Sequence, residues 1–115
     1  MGNRATIVSY DTTKENKHEK IGIYVHWFGS PDNIERALAT AKDKNIRGID
    51  TDRQYFWARF CQVFANIISE ETGDNESGIG IDIVSHLDNY NGDNGVYYID
   101  KNFEIVKHTT GKELY

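Results

Sequence analysis

The chain has 115 residues, of which 38% are hydrophobic and 27% are charged. This is enough apolar material for one core, so we expect a single domain over residues 1–115 rather than a disordered chain. The formal net charge of −5 argues against direct binding to a nucleic-acid backbone, which requires a basic surface. No stretch approaches the roughly 20 apolar residues that span a bilayer, and no apolar signal region follows Met1, so we expect a cytoplasmic protein.

The first part of the chain predicts two strands separated by a loop. Residues 4–9 are rich in β-branched side chains and predict a strand, whereas residues 11–20 are too polar for a core and predict a solvated loop. Residues 21–28 alternate as a strand does, which places Tyr24, His26 and Phe28 on one face. Because both faces carry bulky side chains, we expect this second strand to be central in the sheet.

Two helices are predicted in the middle of the chain. The first begins at Ser30, a residue suited to capping, and ends near Asn45. The second begins at Thr51, with Gln54 in a capping-box arrangement, and covers residues 52–71. Its broad apolar face predicts the centre of the core, formed by Phe56, Phe60, Val63, Phe64, Ile67 and Ile68.

Three further strands are predicted after the helices. Residues 79–84 alternate between isoleucine and smaller or polar residues, and residues 96–99 and 103–106 form a C-terminal hairpin around the turn at 100–102. The element order is β-β-α-α-β-β-β, without βαβ alternation. This order predicts an α+β fold in which an antiparallel or mixed sheet of about five strands is packed by two helices.

The histidines and the single cysteine do not form a metal site in the sequence. His18, His26, His86 and His108 lack the mutual spacing of a helical metal site, and none has a cysteine at the spacing of a zinc site. Cys61 lies within the second helix and is predicted to be a core residue rather than a reactive thiol. We therefore expect neither a metal ion nor a cofactor.

Two of the histidines are candidates for acid–base chemistry. His26 lies in a strand, where a hydrogen-bonded histidine at the edge of the core is the simpler interpretation. His86 is close in sequence to Asp82, Asp88 and Asp93, which would supply a general acid–base pair if the loop between them folds back. These residues support one alternative hypothesis, a small hydrolase that uses His26 or His86.

Acidic residues are concentrated at and after the end of the second helix. Such residues are typical of a solvated surface, but a carboxylate array also suits the basic groove of a nucleic-acid-binding protein. The residues of this predicted acidic surface are Glu70, Glu71, Asp74, Glu76, Asp82, Asp88 and Asp93.

The polar face of the second helix offers a different kind of site. Polar residues recur there at the spacing of a solvated helix face, and Arg59 follows Tyr55 and Trp57 closely in the sequence. Guanidinium and aromatic groups suit nucleotides, because the first binds phosphate and the second stacks on a base. The candidate binding residues on this helix are Trp57, Arg59 and Gln62, and the further cations available are Arg47 and Arg53.

Four segments together resemble a family of short, uncharacterised proteins encoded by phages and prophages. The segments are Gly2-Asn3-Arg4-Ala5, Gly22-Ile23-Tyr24-Val25-His26-Trp27, Ala58-Arg59-Phe60-Cys61-Gln62-Val63 and Asp93-Asn94-Gly95-Val96-Tyr97. The chain departs from the family at Phe28, where a small polar residue is more usual, and in its longer acidic segment at 70–76. The resemblance implies phage origin and a place in the cytoplasm of the host cell.

Small phage proteins without catalytic motifs often inhibit host immunity, so we expect a non-enzymatic inhibitor of a host defence system. One mechanism blocks a nucleic-acid-binding effector, as an anti-CRISPR protein does, through the acidic surface. The other is an oligomeric protein that sequesters a nucleotide immune signal. A structural component of the virion is a further hypothesis. The remaining candidate binding residues are His26, Asp93 and Asn94.

Overall fold

A computed structural model of the chain describes residues 2–10, 20–73, 78–88 and 91–109. It confirms the α+β class, with two helices and a five-stranded mixed sheet. The strands are β1 (Ala5–Ser9), β2 (Ile21–Val25), β3 (Ile79–Ile83), β4 (Val96–Ile99) and β5 (Ile105–Thr109), and the helices are α1 (Pro31–Asp43) and α2 (Arg53–Thr72).

The strand order in the sheet is β3-β2-β1-β4-β5. β1 therefore lies in the middle, and β2 has a neighbour on each side. β1 pairs in parallel with β4, where Ile7 lies opposite Tyr97, and all other strand pairs are antiparallel. Since neighbouring parallel strands begin at the same end of a sheet, the segments that precede β1 and β4 meet at that end.

Both helices pack on one face of the sheet and enclose the main core. The amphipathic pattern predicted for α2 is observed, because its apolar residues are buried against strand residues such as Ile7 and Ile23. A smaller apolar cluster on the opposite face joins Val8, Val84, Val96 and Tyr98. None of the described helices combines the length and the apolar character needed to cross a bilayer.

The helix ends differ in detail from the sequence prediction. Asp52 rather than Thr51 is the N-cap of α2, and its Oδ1 accepts a hydrogen bond from the N–H of Tyr55 at 3.3 Å. A side-chain oxygen that accepts from a first-turn N–H group, as that of Asp52 does, satisfies the requirement for an N-cap. The Ser30 hydroxyl does not cap α1, since its Oγ accepts from the side-chain amide of Asn33 at 2.9 Å.

Two strand predictions extended too far. β2 ends at Val25, and Phe28 adopts a positive φ of 63° and packs against the main core rather than sharing a face with Tyr24 and His26. Phe103 also has a positive φ, 61°, within the turn, so β5 begins at Ile105 instead of residue 103, and it continues to Thr109 instead of ending at residue 106. The loop predicted over 11–20 lies outside the described residues except for its last residue.

Candidate functional site

Arg47, Tyr55 and Arg59 come together on the surface beside the start of α2. The guanidinium carbon of Arg47 lies 4.6 Å from the centroid of the Tyr55 ring, and that of Arg59 lies 5.8 Å from it. Tyr55 and Arg59 are one helical turn apart and so share a face of α2. Tyr55 is 48% exposed, even though both cations lie over its ring. We call these three residues the Tyr55 platform.

Local contacts hold the two arginines of the Tyr55 platform. Arg47 comes from the segment between the helices, and its Nη1 donates to Asp52 Oδ2 at 2.9 Å. Asp52 is also the N-cap of α2, so the same carboxylate fixes the helix start and the arginine. Arg59 Nη1 donates to Gln62 Oε1 at 3.4 Å, which extends the polar surface along the helix. Arg53 is exposed at the first residue of α2.

Trp57 does not belong to this surface. Its side chain is 2% exposed and packs in the core, with ring centroids 5.0 Å from Phe56 and 6.3 Å from Phe60. The reason is helical geometry, since residues two positions apart, such as Tyr55 and Trp57, lie about 200° apart around a helix. The indole Nε1 is buried and has no hydrogen-bond partner among the described residues. The candidate stacking residue is therefore Tyr55.

A second polar constellation forms where the segments before β1 and β4 meet. Asp93 Oδ2 accepts hydrogen bonds from the backbone N–H of Arg4 at 3.0 Å and from its Nε at 2.8 Å. The side-chain amide of Asn94 donates to Arg4 O at 2.9 Å and to Asn3 Oδ1 at 2.6 Å. We call Asn3, Arg4, Asp93 and Asn94 the Arg4 cluster. Bonding to Arg4, first through its side chain, lowers the pKa of the Asp93 carboxyl below its ordinary value.

The buried side chain of Asn91 shapes the loop that carries Asp93 and Asn94. Its Oδ1 accepts from the backbone N–H groups of Asp93, Asn94 and Gly95 at 3.0–3.2 Å. Its Nδ2 donates to the carbonyl groups of Gly95 and Asp88 at 3.0 and 3.2 Å. This amide uses its donors and acceptor on backbone groups, which fixes the loop against the sheet.

His26 and Tyr24 lie next to the Arg4 cluster. The Tyr24 hydroxyl is 3.1 Å from His26 Nδ1, and the His26 carbonyl accepts from the backbone N–H of Asn3 at 2.9 Å. Loss of solvation, followed by the nearby negative charge of Asp88, raises the pKa of Tyr24, so its hydroxyl stays protonated. His26 therefore occupies a hydrogen-bonded position next to the end of β2, and its side-chain partner among the described residues is the protonated hydroxyl of Tyr24.

The acidic residues predicted to form one surface are divided among several contacts. Glu70 and Glu71 are both exposed, and Glu71 pairs with Arg36 of α1 at 2.8 Å. Asp88 and Asp93 both approach Arg4, the first at 3.9 Å. Asp74 and Glu76 lie outside the described residues.

Of the three aspartates predicted around His86, the structure brings Asp82 close to it. His86 Nδ1 lies 3.6 Å from Asp82 Oδ1, four residues earlier and on the exposed surface, while Asp88 and Asp93 face Arg4 instead. Burial raises the pKa of the Cys61 thiol to about 11, so it is protonated at neutral pH. Among the described residues, no group of three metal-ligating side chains is found.

No match is found when the chain is compared with protein-family models, with curated proteins and with solved structures.

Residue-by-residue reasoning missed the roles of Asn3, Arg4 and Tyr24, because their partners are distant in sequence. A signal was nevertheless present. Three of the four segments that the sequence analysis singled out as a set, at 2–5, 22–27 and 93–97, meet at the end of the sheet where β1 and β4 begin. The fourth segment carries Arg59 and Gln62 of the other site.

Proposed function

We propose that the protein is a phage-encoded, non-enzymatic binding protein that acts in the host cytoplasm against a defence system by sequestering a nucleotide messenger. The observation that carries this proposal is the Tyr55 platform, in which two guanidinium groups flank one exposed aromatic ring. The phage origin is supported by the resemblance of the four sequence segments.

The chemistry of the Tyr55 platform matches a nucleotide in two respects. A guanidinium group binds phosphate oxygens through paired N–H donors, and a tyrosine ring offers a face on which a base stacks. Cations are in the minority on this chain, whose net charge is −5, so two arginines at one tyrosine are a local exception. Gln62 adds amide donors and an acceptor for a base edge or a ribose.

The acidic-surface mechanism is the competing proposal, and it has weaker support. A carboxylate already paired within the chain has less charge to offer to a basic protein, and Glu71 is paired with Arg36. On the platform, Arg47 is paired in the same way with Asp52, whereas Arg59 bonds to the neutral Gln62. The hydrolase hypothesis is weaker still, since the partner of His26 is a protonated tyrosine and that of His86 is an exposed carboxylate.

The test is calorimetric titration of the full chain with purine mono-, di- and triphosphates and with cyclic dinucleotides. We expect at least one of these probes to bind, with Arg59→Ala and Tyr55→Leu each reducing the affinity about tenfold or more. That factor corresponds to the loss of about 1.4 kcal/mol, the size of one charged or stacking contact. Binding should also weaken as salt is raised.

Arg36→Ala is the matched control, because it removes an exposed arginine from α1 without touching the platform. It should leave nucleotide binding unchanged. The paired reversal Glu70→Lys and Glu71→Lys tests the competing mechanism, since it should change protein capture but not nucleotide binding. Absence of binding by every probe, or binding that survives both platform substitutions, would refute messenger capture at this site.

A further inference from the structure

β3 forms one edge of the sheet, and its bonding to β2 shows which backbone groups point outward. At the ends of this pair, Val84 N–H donates to Lys20 O at 2.8 Å and His26 N–H donates to Gly78 O at 3.0 Å. Hydrogen-bonded and non-hydrogen-bonded pairs alternate along an antiparallel ladder. The even-numbered residues of β3 therefore direct their backbone N–H and C=O groups toward β2. The residues that direct their N–H and C=O groups to the outer edge are Ile79, Ile81 and Ile83.

The side chains beside this edge are apolar and partly uncovered. Ile81 is 55% exposed, more than any other large hydrophobic side chain among the described residues. A groove runs between α2 and β3 next to it. It is lined by Cys61, Gln62, Ala65, Ile79, Gly80 and Ile81.

The two edges of the sheet differ in how they are protected against pairing. β5, at the opposite edge, carries Lys107 and an irregular register beside Tyr98, both of which discourage the addition of a strand. β3 is regular over its length and has Asp82 as its one charged residue. Among the described strands, β2 is its sole neighbour, so its outer edge is the one suited to receive another strand.

We propose that β3 pairs with β3 of a second copy of this chain, antiparallel and about a twofold axis at Ile81, to form one continuous sheet. The outward-facing positions of β3 are symmetric about Ile81, since isoleucine occupies its first, middle and last positions. In this register Ile79 faces Ile83 of the partner subunit. Asp82 faces Gly80 of the partner subunit, so the two carboxylates are not opposed.

One side chain must move for the pairing to be complete. Asp82 Oδ1 accepts from the N–H of Ile83 at 2.7 Å, and this N–H is one of the outward donors. The aspartate is exposed, so it can turn to solvent or to His86, 3.6 Å away, and leave the donor for the second chain. The Ile81 groups need no such change.

The association does not depend on nucleotide binding, but it has a consequence for the Tyr55 platform. Gln62 lines the groove at β3 and also accepts from Arg59. A second copy seated at the groove therefore lies next to the platform.

The test is light scattering coupled to size exclusion, with sedimentation velocity, on the full chain without ligand. We expect the wild type to associate, and Ile81→Lys and Ile81→Glu each to raise the dissociation constant about tenfold or more, because like charges then meet on the axis. A mixture of the two variants should associate again, because the introduced charges are opposite and directly paired. Circular dichroism should confirm that both variants are folded.

Val106→Lys is the matched control, because Val106 is 45% exposed on the other edge strand, and it should leave the association unchanged. Amide exchange on the wild type gives a measurement free of any variant. The N–H of Ile81 should gain protection as protein concentration rises. A monomeric wild type, an assembly unaltered by Ile81→Lys, or variants that stay apart when mixed would each overturn the proposed pairing.

Discussion

Asp93 uses a single carboxylate oxygen, Oδ2, to accept from both the backbone N–H and the side-chain Nε of Arg4, 89 positions earlier in the chain. The backbone bond fixes the start of β1, and the side-chain bond fixes the loop before β4. The charge of the Asp93 carboxylate therefore helps to fix the backbone at the end of the sheet where β1 and β4 begin. A lysine in place of Arg4 would lack the Nε donor next to the chain.

Acid should weaken this contact. The pKa of Asp93 is lowered, chiefly by its hydrogen bond with Arg4, so the carboxylate contributes stability above its ordinary pKa of 3.8. That contribution is lost as the pH falls from there through the lowered pKa of the folded state. We expect Asp93→Asn to reduce the free energy of unfolding at neutral pH and to flatten its fall in acid, measured by urea unfolding at several pH values. Asp43→Asn, an exposed carboxylate at the end of α1, is the control; equal profiles for both variants would contradict the assignment.

Phe60 should contribute strongly to stability. Its side chain is 0% exposed and its ring stacks on Phe56, with centroids 5.6 Å apart. Phe60→Ala leaves a cavity among these rings and should cost about 3 to 5 kcal/mol in the free energy of unfolding. Tyr55→Ala on the exposed face of the same helix is the comparison and should cost far less. A loss below about 1 kcal/mol for Phe60→Ala in denaturant unfolding would be inconsistent with its place in the core.

Alkaline pH should act through Tyr97. Burial raises the pKa of its hydroxyl to about 12, and the hydroxyl donates to Gly29 O at 2.8 Å. Since the folded-state pKa is raised, the stabilisation is fully present below the ordinary pKa of 10 and is lost as the pH rises through about 12.

Tyr97→Phe removes the titrating group and should therefore flatten the alkaline fall in stability. It should also cost about 1 kcal/mol at neutral pH, the net contribution of one hydrogen bond. Thermal unfolding at neutral and alkaline pH measures both effects. The same alkaline fall in wild type and variant would show that another group is responsible.

The thiol of Cys61 should react slowly with alkylating reagents. With a thiol pKa of about 11 caused by burial, the fraction of thiolate at neutral pH is small, and alkylation by iodoacetamide should be much slower than for a free cysteine peptide. Cys61→Ala should preserve nucleotide binding once folding is verified, and chelation with EDTA should have no effect. Loss of binding in EDTA that zinc restores would show that a metal ion is required.

The sequence predicted the elements well because their signals are local. The apolar period of α2 and the isoleucine alternation of β3 depend only on neighbouring residues, and both are observed. The side-by-side parallel pairing of β1 and β4 has no local signal, so the Arg4 cluster was not assembled from the pattern. Trp57 illustrates another limit, since its neighbours in sequence suggested a surface that its angular position on the helix excludes.

The pairing of β1 with β4 also has a consequence in time. β1 precedes the other described elements in the chain, yet it is the middle strand, and one of its two neighbours is made roughly 90 residues later. Long-range pairings of this kind raise the contact order and slow folding. Until β4 emerges from the ribosome, the apolar β1 has an open edge. The nascent chain therefore passes through a stage in which β1, a strand that is buried in the folded protein, is open to pairing with another chain.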